Sequence, residues 1–195
     1  MKIPAKWVNI FGIVVITLLA IDVVVLSVKN RDLKYYVREI TGFEPPEPLE
    51  PETHAEKISV TLLDGRNDSI SYDDAYSKYL LLVFSTTCPH CEANIPRWRS
   101  VNEKLDGRCF VIAISIHDVG RTIEYVTKRE FPFYSVSLDD SAFYQRYRIR
   151  GVPVTILIAG DATVEGVWKG RLDDGQVDEI ISRATVNTTA SLIDK

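Results

Sequence analysis

The feature that most constrains this chain is an abrupt change of character across residues 80–91. Leu80, Leu81, Leu82, Val83 and Phe84 form an unbroken apolar run, which reads as a strand buried on both faces. Ser85, Thr86 and Thr87 read as a turn. Cys88-Pro89-His90-Cys91 follows, just ahead of a helix predicted over residues 93–105. A buried strand feeding a helix through a short turn calls for a layered α/β fold. It also sets Cys88 at a helix start, where free backbone N–H groups and the helix dipole favour an anionic sulfur.

Two thiols separated by two residues can close and reopen a small disulfide ring. Cys88 is therefore the candidate exposed nucleophile and Cys91, one turn further in, the candidate resolving thiol. Pro89 and His90 lie inside the ring, and a protonated His90 would add to the stabilisation of the Cys88 anion. The remaining cysteine, Cys109, opens the apolar run at residues 109–114 and reads as a small buried residue. The sharper alternative is a regulatory third thiol. Three cysteines do not make the dense, even framework of a disulfide-stapled secreted protein. With no second Cys pair and with His54, His90 and His117 scattered, a zinc site is disfavoured, and no cofactor is expected. His117 follows a strand and reads as a surface residue, with a rim residue as the alternative; Trp98 reads as a core residue. A formal net charge of −4 without a basic stripe argues against nucleic acid as a partner.

Ahead of this unit, residues 8–28 are mostly Ile, Val, Leu and Phe, long enough to cross a bilayer. Residues 1–29 are read as a transmembrane anchor, a cleaved signal peptide being the competing reading. Asp22 lies deep in the run and is costly there unless protonated, paired or shifted to the interface. Lysines and arginines flank both ends, so charge does not fix the orientation. Residues 30–55 are read as a juxtamembrane amphipathic helix and a linker whose four prolines and like charges favour an extended spacer. At about 3.1 Å per residue the nine residues 44–52 would span roughly 28 Å. Residues 56–186 form the globular domain, and residues 187–195 a polar tail.

Within the globular part, strands are predicted over residues 58–62, 80–84, 110–116, 134–138, 154–159 and 164–169. Helices are predicted over 93–105, 121–130, 142–147 and 173–184. The expected fold is α/β, a mixed central sheet flanked by helices on both faces.

This order resembles the thioredoxin superfamily, and more narrowly the membrane-anchored TlpA/ResA-like thiol-disulfide oxidoreductases. The resemblance rests on the opening strand with Asp64-Gly65, on Phe84-Ser-Thr-Thr-Cys-Pro-His-Cys91, on Ser115-Ile116-His117-Asp118, and on Gly151-Val152-Pro153-Val154. It implies a cis Pro153 facing the disulfide, with Val152 offering main-chain hydrogen bonds to an extended substrate. It also implies protein thiol/disulfide clients, an upstream redox partner, and a catalytic domain in the periplasm or another extracytoplasmic space. Pro-His inside the ring hints at oxidation of clients, and the TlpA/ResA-like pattern at reduction, so direction stays open. Two positions depart from the family pattern. Leu82 stands where a buried carboxylate is common, and Asn94 where a glutamate is common. A peroxiredoxin is disfavoured by the cysteine pairing. A membrane-anchored assembly factor or client-binding protein, with a secondary redox role, is the alternative from a different class.

Overall fold

The structure, a computed structural model, describes residues 5–41, 50–72, 76–138, 140 and 142–186. It divides into two compact units, Met1–Pro45 and Pro46–Lys195.

The first unit is one helix, α1 (Ala5–Thr41). Its stretch Phe11–Asp32 is long and apolar enough to cross a membrane. The Thr17 and Ser27 hydroxyls donate to the carbonyls of Ile13 and Val23, both at 2.8 Å, so neither needs an outside partner. The helix is continuous through residues 30–41, so the expected juxtamembrane helix continues directly from the apolar stretch. Most of the Pro/Glu linker and the tail at 187–195 lie outside the described residues.

The second unit is built on a seven-stranded sheet of order β2-β1-β5-β4-β3-β6-β7. Its strands are β1 (Ile58–Leu62), β2 (Asn67–Ile70), β3 (Lys78–Phe84), β4 (Phe110–Ser115), β5 (Tyr134–Leu138), β6 (Val154–Ala159) and β7 (Val164–Lys169). The strands β3, β4 and β5 are parallel, and the remaining pairings are antiparallel. Every residue of β3 is buried. Because side chains alternate, Tyr79, Leu81 and Val83 enter one core and Leu80, Leu82 and Phe84 the other. That double burial explains why the strand carries no polar alternation.

The helices are α2 (Pro89–Glu92), α3 (Ile95–Leu105), α4 (Val119–Lys128), α5 (Phe143–Arg146) and α6 (Asp174–Thr185). Trp98, Val101 and Leu105 of α3, with Val177, Ile180 and Ala184 of α6, fill the core on the Leu80 side. Phe143 of α5 joins the opposite core. This is the thioredoxin-like α/β fold, with a mixed sheet between helices. Trp98 is a core residue as expected, and its indole N–H donates to Thr155 Oγ1 at 3.0 Å. Hydrogen bonding to the sheet begins ahead of residue 56. Glu52 N–H donates to Val164 O at 2.8 Å, and Ala55 N–H to Ala162 O at 2.7 Å.

Candidate active site

β3 delivers the chain to the C-terminal edge of the parallel strands, and the turn at residues 85–87 hands it to Cys88. Cys88 caps α2 with extended backbone (φ −93°, ψ 113°), and Pro89 occupies the start of the helix, where its missing N–H costs nothing. The Cys91 amide donates to Cys88 Sγ at 3.3 Å. Cys88 is half-buried, Pro89 and His90 are exposed, and Cys91 is fully buried. One sulfur is thus reachable from solvent while its neighbour waits behind it. Burial pushes the Cys91 thiol up to about 12; its hydrogen bond with Cys88 works in the same direction, and the Ser85 backbone amide against it.

The helix expected over residues 93–105 is present as α3, starting two residues later, and a separate short helix, α2, precedes it over the cysteine pair. α2 is a single turn, and Ala93 and Asn94 separate it from α3. Local N–H donation, rather than the dipole of a long helix, is therefore what acts on the Cys88 sulfur. The exposed His90 side chain makes no hydrogen bond among the described residues. Leu82, where a buried acid was one family expectation, packs in the same core as Cys91.

Facing the pair is the segment that leads into β6. The Val152–Pro153 bond is cis. Cys88 Sγ donates to the Val152 carbonyl at 3.6 Å, and the Pro153 carbonyl accepts from Gly170 N–H at 2.8 Å. The fold thus brings Cys88, Cys91, Val152 and Pro153 together from segments some sixty residues apart.

Two residues matter more than their sequence surroundings suggest. His117 is half-buried, and its Nε2 lies 3.0 Å from the buried Ser85 hydroxyl. Its backbone is held by buried side chains: its N–H donates to Ser115 Oγ, and its carbonyl accepts from Thr122 and Ser137. The surface placement expected for His117 is therefore replaced by a role bracing the turn before Cys88. Asn94 is fully buried. Its Nδ2 donates to Gly170 O at 3.1 Å and its Oδ1 accepts from Leu172 N–H at 2.8 Å. It staples the start of α3 to the loop that also holds Pro153.

Cys109 stands apart. It immediately precedes β4, and Phe110 pairs with Tyr79 at the opposite end of β3 from Phe84. At about 3.3 Å per residue, five strand steps separate it from the pair by roughly 15 Å or more. A disulfide needs Cα atoms within about 7 Å, so Cys109 cannot serve the pair as an internal third thiol. Burial pushes its thiol up to about 12.

A protein-family profile described as the AhpC/TSA family matches residues 52–167. The chain belongs to the AhpC/TSA family. Among solved structures, StoA from Bacillus subtilis is similar at 16% identity, with 67% of this chain and 98% of that chain covered and a TM-score of 0.54. The thioredoxin domain of a thiol-disulfide oxidoreductase from Bacteroides vulgatus is similar at 16% identity, covering 69% and 97%, with a TM-score of 0.57. A secreted Mycobacterium tuberculosis disulfide oxidoreductase, homologous to E. coli DsbE, matches at 20% identity, covering 65% and 93%, with a TM-score of 0.53. A comparison with curated proteins finds no match. At these identities the structural likeness establishes the fold that this AhpC/TSA member shares with them.

Proposed function

We propose that this protein is a membrane-tethered thiol-disulfide oxidoreductase that exchanges disulfides with protein clients outside the cytoplasm. The observation that carries the reading is a pair of sulfurs at unequal depth. Cys88 is partly exposed at the end of a strand, and the fully buried Cys91 donates its amide to it. The Cys88 thiolate displaces one sulfur of a client disulfide, giving a mixed disulfide and one client thiolate. Cys91 then loses its proton and displaces the second client sulfur from Cys88. Two electrons pass to the client and the Cys88–Cys91 disulfide closes; an upstream partner resets it. The same steps in reverse oxidise a client dithiol. Val152, whose carbonyl already meets the Cys88 sulfur, offers main-chain bonds to an extended client segment. The stretch Phe11–Asp32 supplies the tether.

The test is trapping in the full-length chain. Cys91→Ser should accumulate mixed disulfides on Cys88 that dithiothreitol releases, and the double serine variant should accumulate none. An absence of adducts on Cys91→Ser overturns the reading. A double serine variant that keeps its cellular role supports the assembly-factor reading instead.

A further inference from the structure

We propose that Tyr125 binds the client: its hydroxyl donates to a main-chain carbonyl of the polypeptide bonded to Cys88, on the side of that sulfur away from Val152. This rests on the disulfide-exchange reading above and names a contact of that same site. Tyr125 is 8% exposed, and its hydroxyl is buried with no hydrogen-bond partner among the described residues. A buried polar group left unpaired costs stability, and folded proteins keep few of them. Packing alone would be served by a phenylalanine. The ring stacks on Phe84 at 5.5 Å between centroids and meets Phe131 edge-on at 5.8 Å, and the oxygen adds nothing to either contact. It calls for an acceptor that arrives from outside the fold.

Position ties that oxygen to the chemistry. Tyr125 lines a cavity of about 350 Å³ together with Thr86 and Thr87, the two residues before Cys88. Arg129 lines it too, and its Nε is a second buried donor without a partner. Burial raises the Tyr125 hydroxyl to about 12; Glu92, Cys91 and Cys88 add to the rise and Arg129 opposes it. The oxygen is thus within electrostatic reach of both sulfurs, and it stays a donor at neutral pH. In the sheet, β3 lies between β4 and β6. The Val152–Pro153 segment leads into β6 and α4 follows β4, so Val152 and Tyr125 flank Cys88 from its two sides. A polypeptide joined to Cys88 leaves the sulfur in two directions. Val152 meets one of them, and the Tyr125 cavity lies along the other.

The group that fits is a neutral carbonyl rather than a carboxylate, because the cations at this cavity are already matched. Arg121 pairs with Asp118 at 3.4 Å and Arg129 with Glu92 at 2.6 Å. Glu124 stands one helical turn from Lys128 on the same wall. Main-chain carbonyls also belong to every client, whatever its side chains.

The experiment uses the reduced full-length protein, a peptide closed by one disulfide, and the disulfide of mercaptoethanol, which has no carbonyl. The two-electron reduction of each by the Cys88/Cys91 pair is timed, and the peptide rate is divided by the mercaptoethanol-disulfide rate. Tyr125→Phe should lower this ratio about two- to tenfold, the worth of one hydrogen bond. It should also leave the urea midpoint as high as in the unmodified protein or higher, since the deleted oxygen had no partner to lose. An amide-to-ester scan along the peptide weakens one carbonyl acceptor at a time. One ester close to the cysteine should slow the unmodified protein several-fold and lose that effect in Tyr125→Phe. A ratio unchanged by Tyr125→Phe, an ester effect of equal size in both proteins, or a lowered urea midpoint each overturns the Tyr125 contact and leaves disulfide exchange standing. Failure of the unmodified protein to reduce either disulfide removes the exchange reading and the contact with it.

Discussion

His117 Nε2 lies 3.0 Å from Ser85 Oγ, and this pair ties the end of β4 to the turn that carries Cys88. The same Ser85 oxygen accepts from the Thr87 amide at 3.2 Å and meets Thr87 Oγ1 at 3.1 Å. The histidine therefore braces a turn whose last residue adjoins Cys88. His117→Ala should lower stability in denaturant titrations by about 1–2 kcal/mol, since Ser85 is buried and loses one partner. It should also slow disulfide exchange several-fold. The decisive measurement is a double-mutant cycle with Ser85→Ala, expected to give a coupling of about 0.5 kcal/mol or more. Additive effects would mean that the two side chains do not act together.

Asn94 supports a second prediction because its loss strands two backbone groups at once. Asn94→Ala removes the acceptor for Leu172 N–H and the donor to Gly170 O. The buried Leu172 N–H left unsatisfied costs about 1–3 kcal/mol and the half-buried Gly170 carbonyl about 1 kcal/mol, so a loss of about 2–4 kcal/mol is expected. Gly170 N–H in turn holds the Pro153 carbonyl. The exchange rate should therefore fall even under conditions where Asn94→Ala remains folded by circular dichroism. Full stability in this variant would show that the loop finds other partners.

These two residues mark where the sequence stops being legible. Strands β3 and β6 are plain in sequence because double burial writes itself as an apolar run, unbroken over 80–84 in β3 and interrupted only by Thr155 in β6. The Cys88/Cys91 pair is equally plain because spacing alone places both thiols at one strand end. Asn94 shows in sequence only as a missing glutamate. Its partners at 170 and 172 lie 76 and 78 residues away, and no local pattern points to them. His117 meets Ser85 across 32 residues for the same reason. Strand β2, Asn67–Ile70, hides because three of its four residues are polar, and pairing with β1 alone defines it. The start of α3 at Ile95 rather than Ala93 did leave a signal: Pro96, within its first turn, is a helix-start residue.

A third prediction concerns reactivity. Cys88 is half-buried, whereas Cys91 is fully buried and Cys109 is 4% exposed. Iodoacetamide added to the reduced native protein at neutral pH should attach to one cysteine, and peptide mapping should locate it at Cys88. Denaturation should release the other two. Prompt double labelling of the native chain would mean that Cys91 is not sheltered and that the division of labour between the two sulfurs is wrong.

The fourth prediction follows from the two buried thiols and concerns alkaline pH. Burial pushes both Cys91 and Cys109 from an ordinary value of 9.0 up to about 12. Between those values the unfolded chain has lost these protons while the folded chain keeps them. Fewer protons on the unfolded state means that stability falls as pH rises. The contribution is complete below pH 9 and drains away towards pH 12, at about 1.4 kcal/mol per pH unit for each thiol at most. Tyr125 and Tyr147, raised mainly by burial to about 12 from 10.0, add losses of the same sign. The thiol share is isolated by difference. Cys109 lies outside the proposed exchange pair, so Cys109→Ala should lower stability at pH 7 through lost packing, yet give a shallower decline between pH 9 and pH 11 in urea titrations. Parallel declines in the two proteins would show that the Cys109 thiol titrates alike in the folded and unfolded chains.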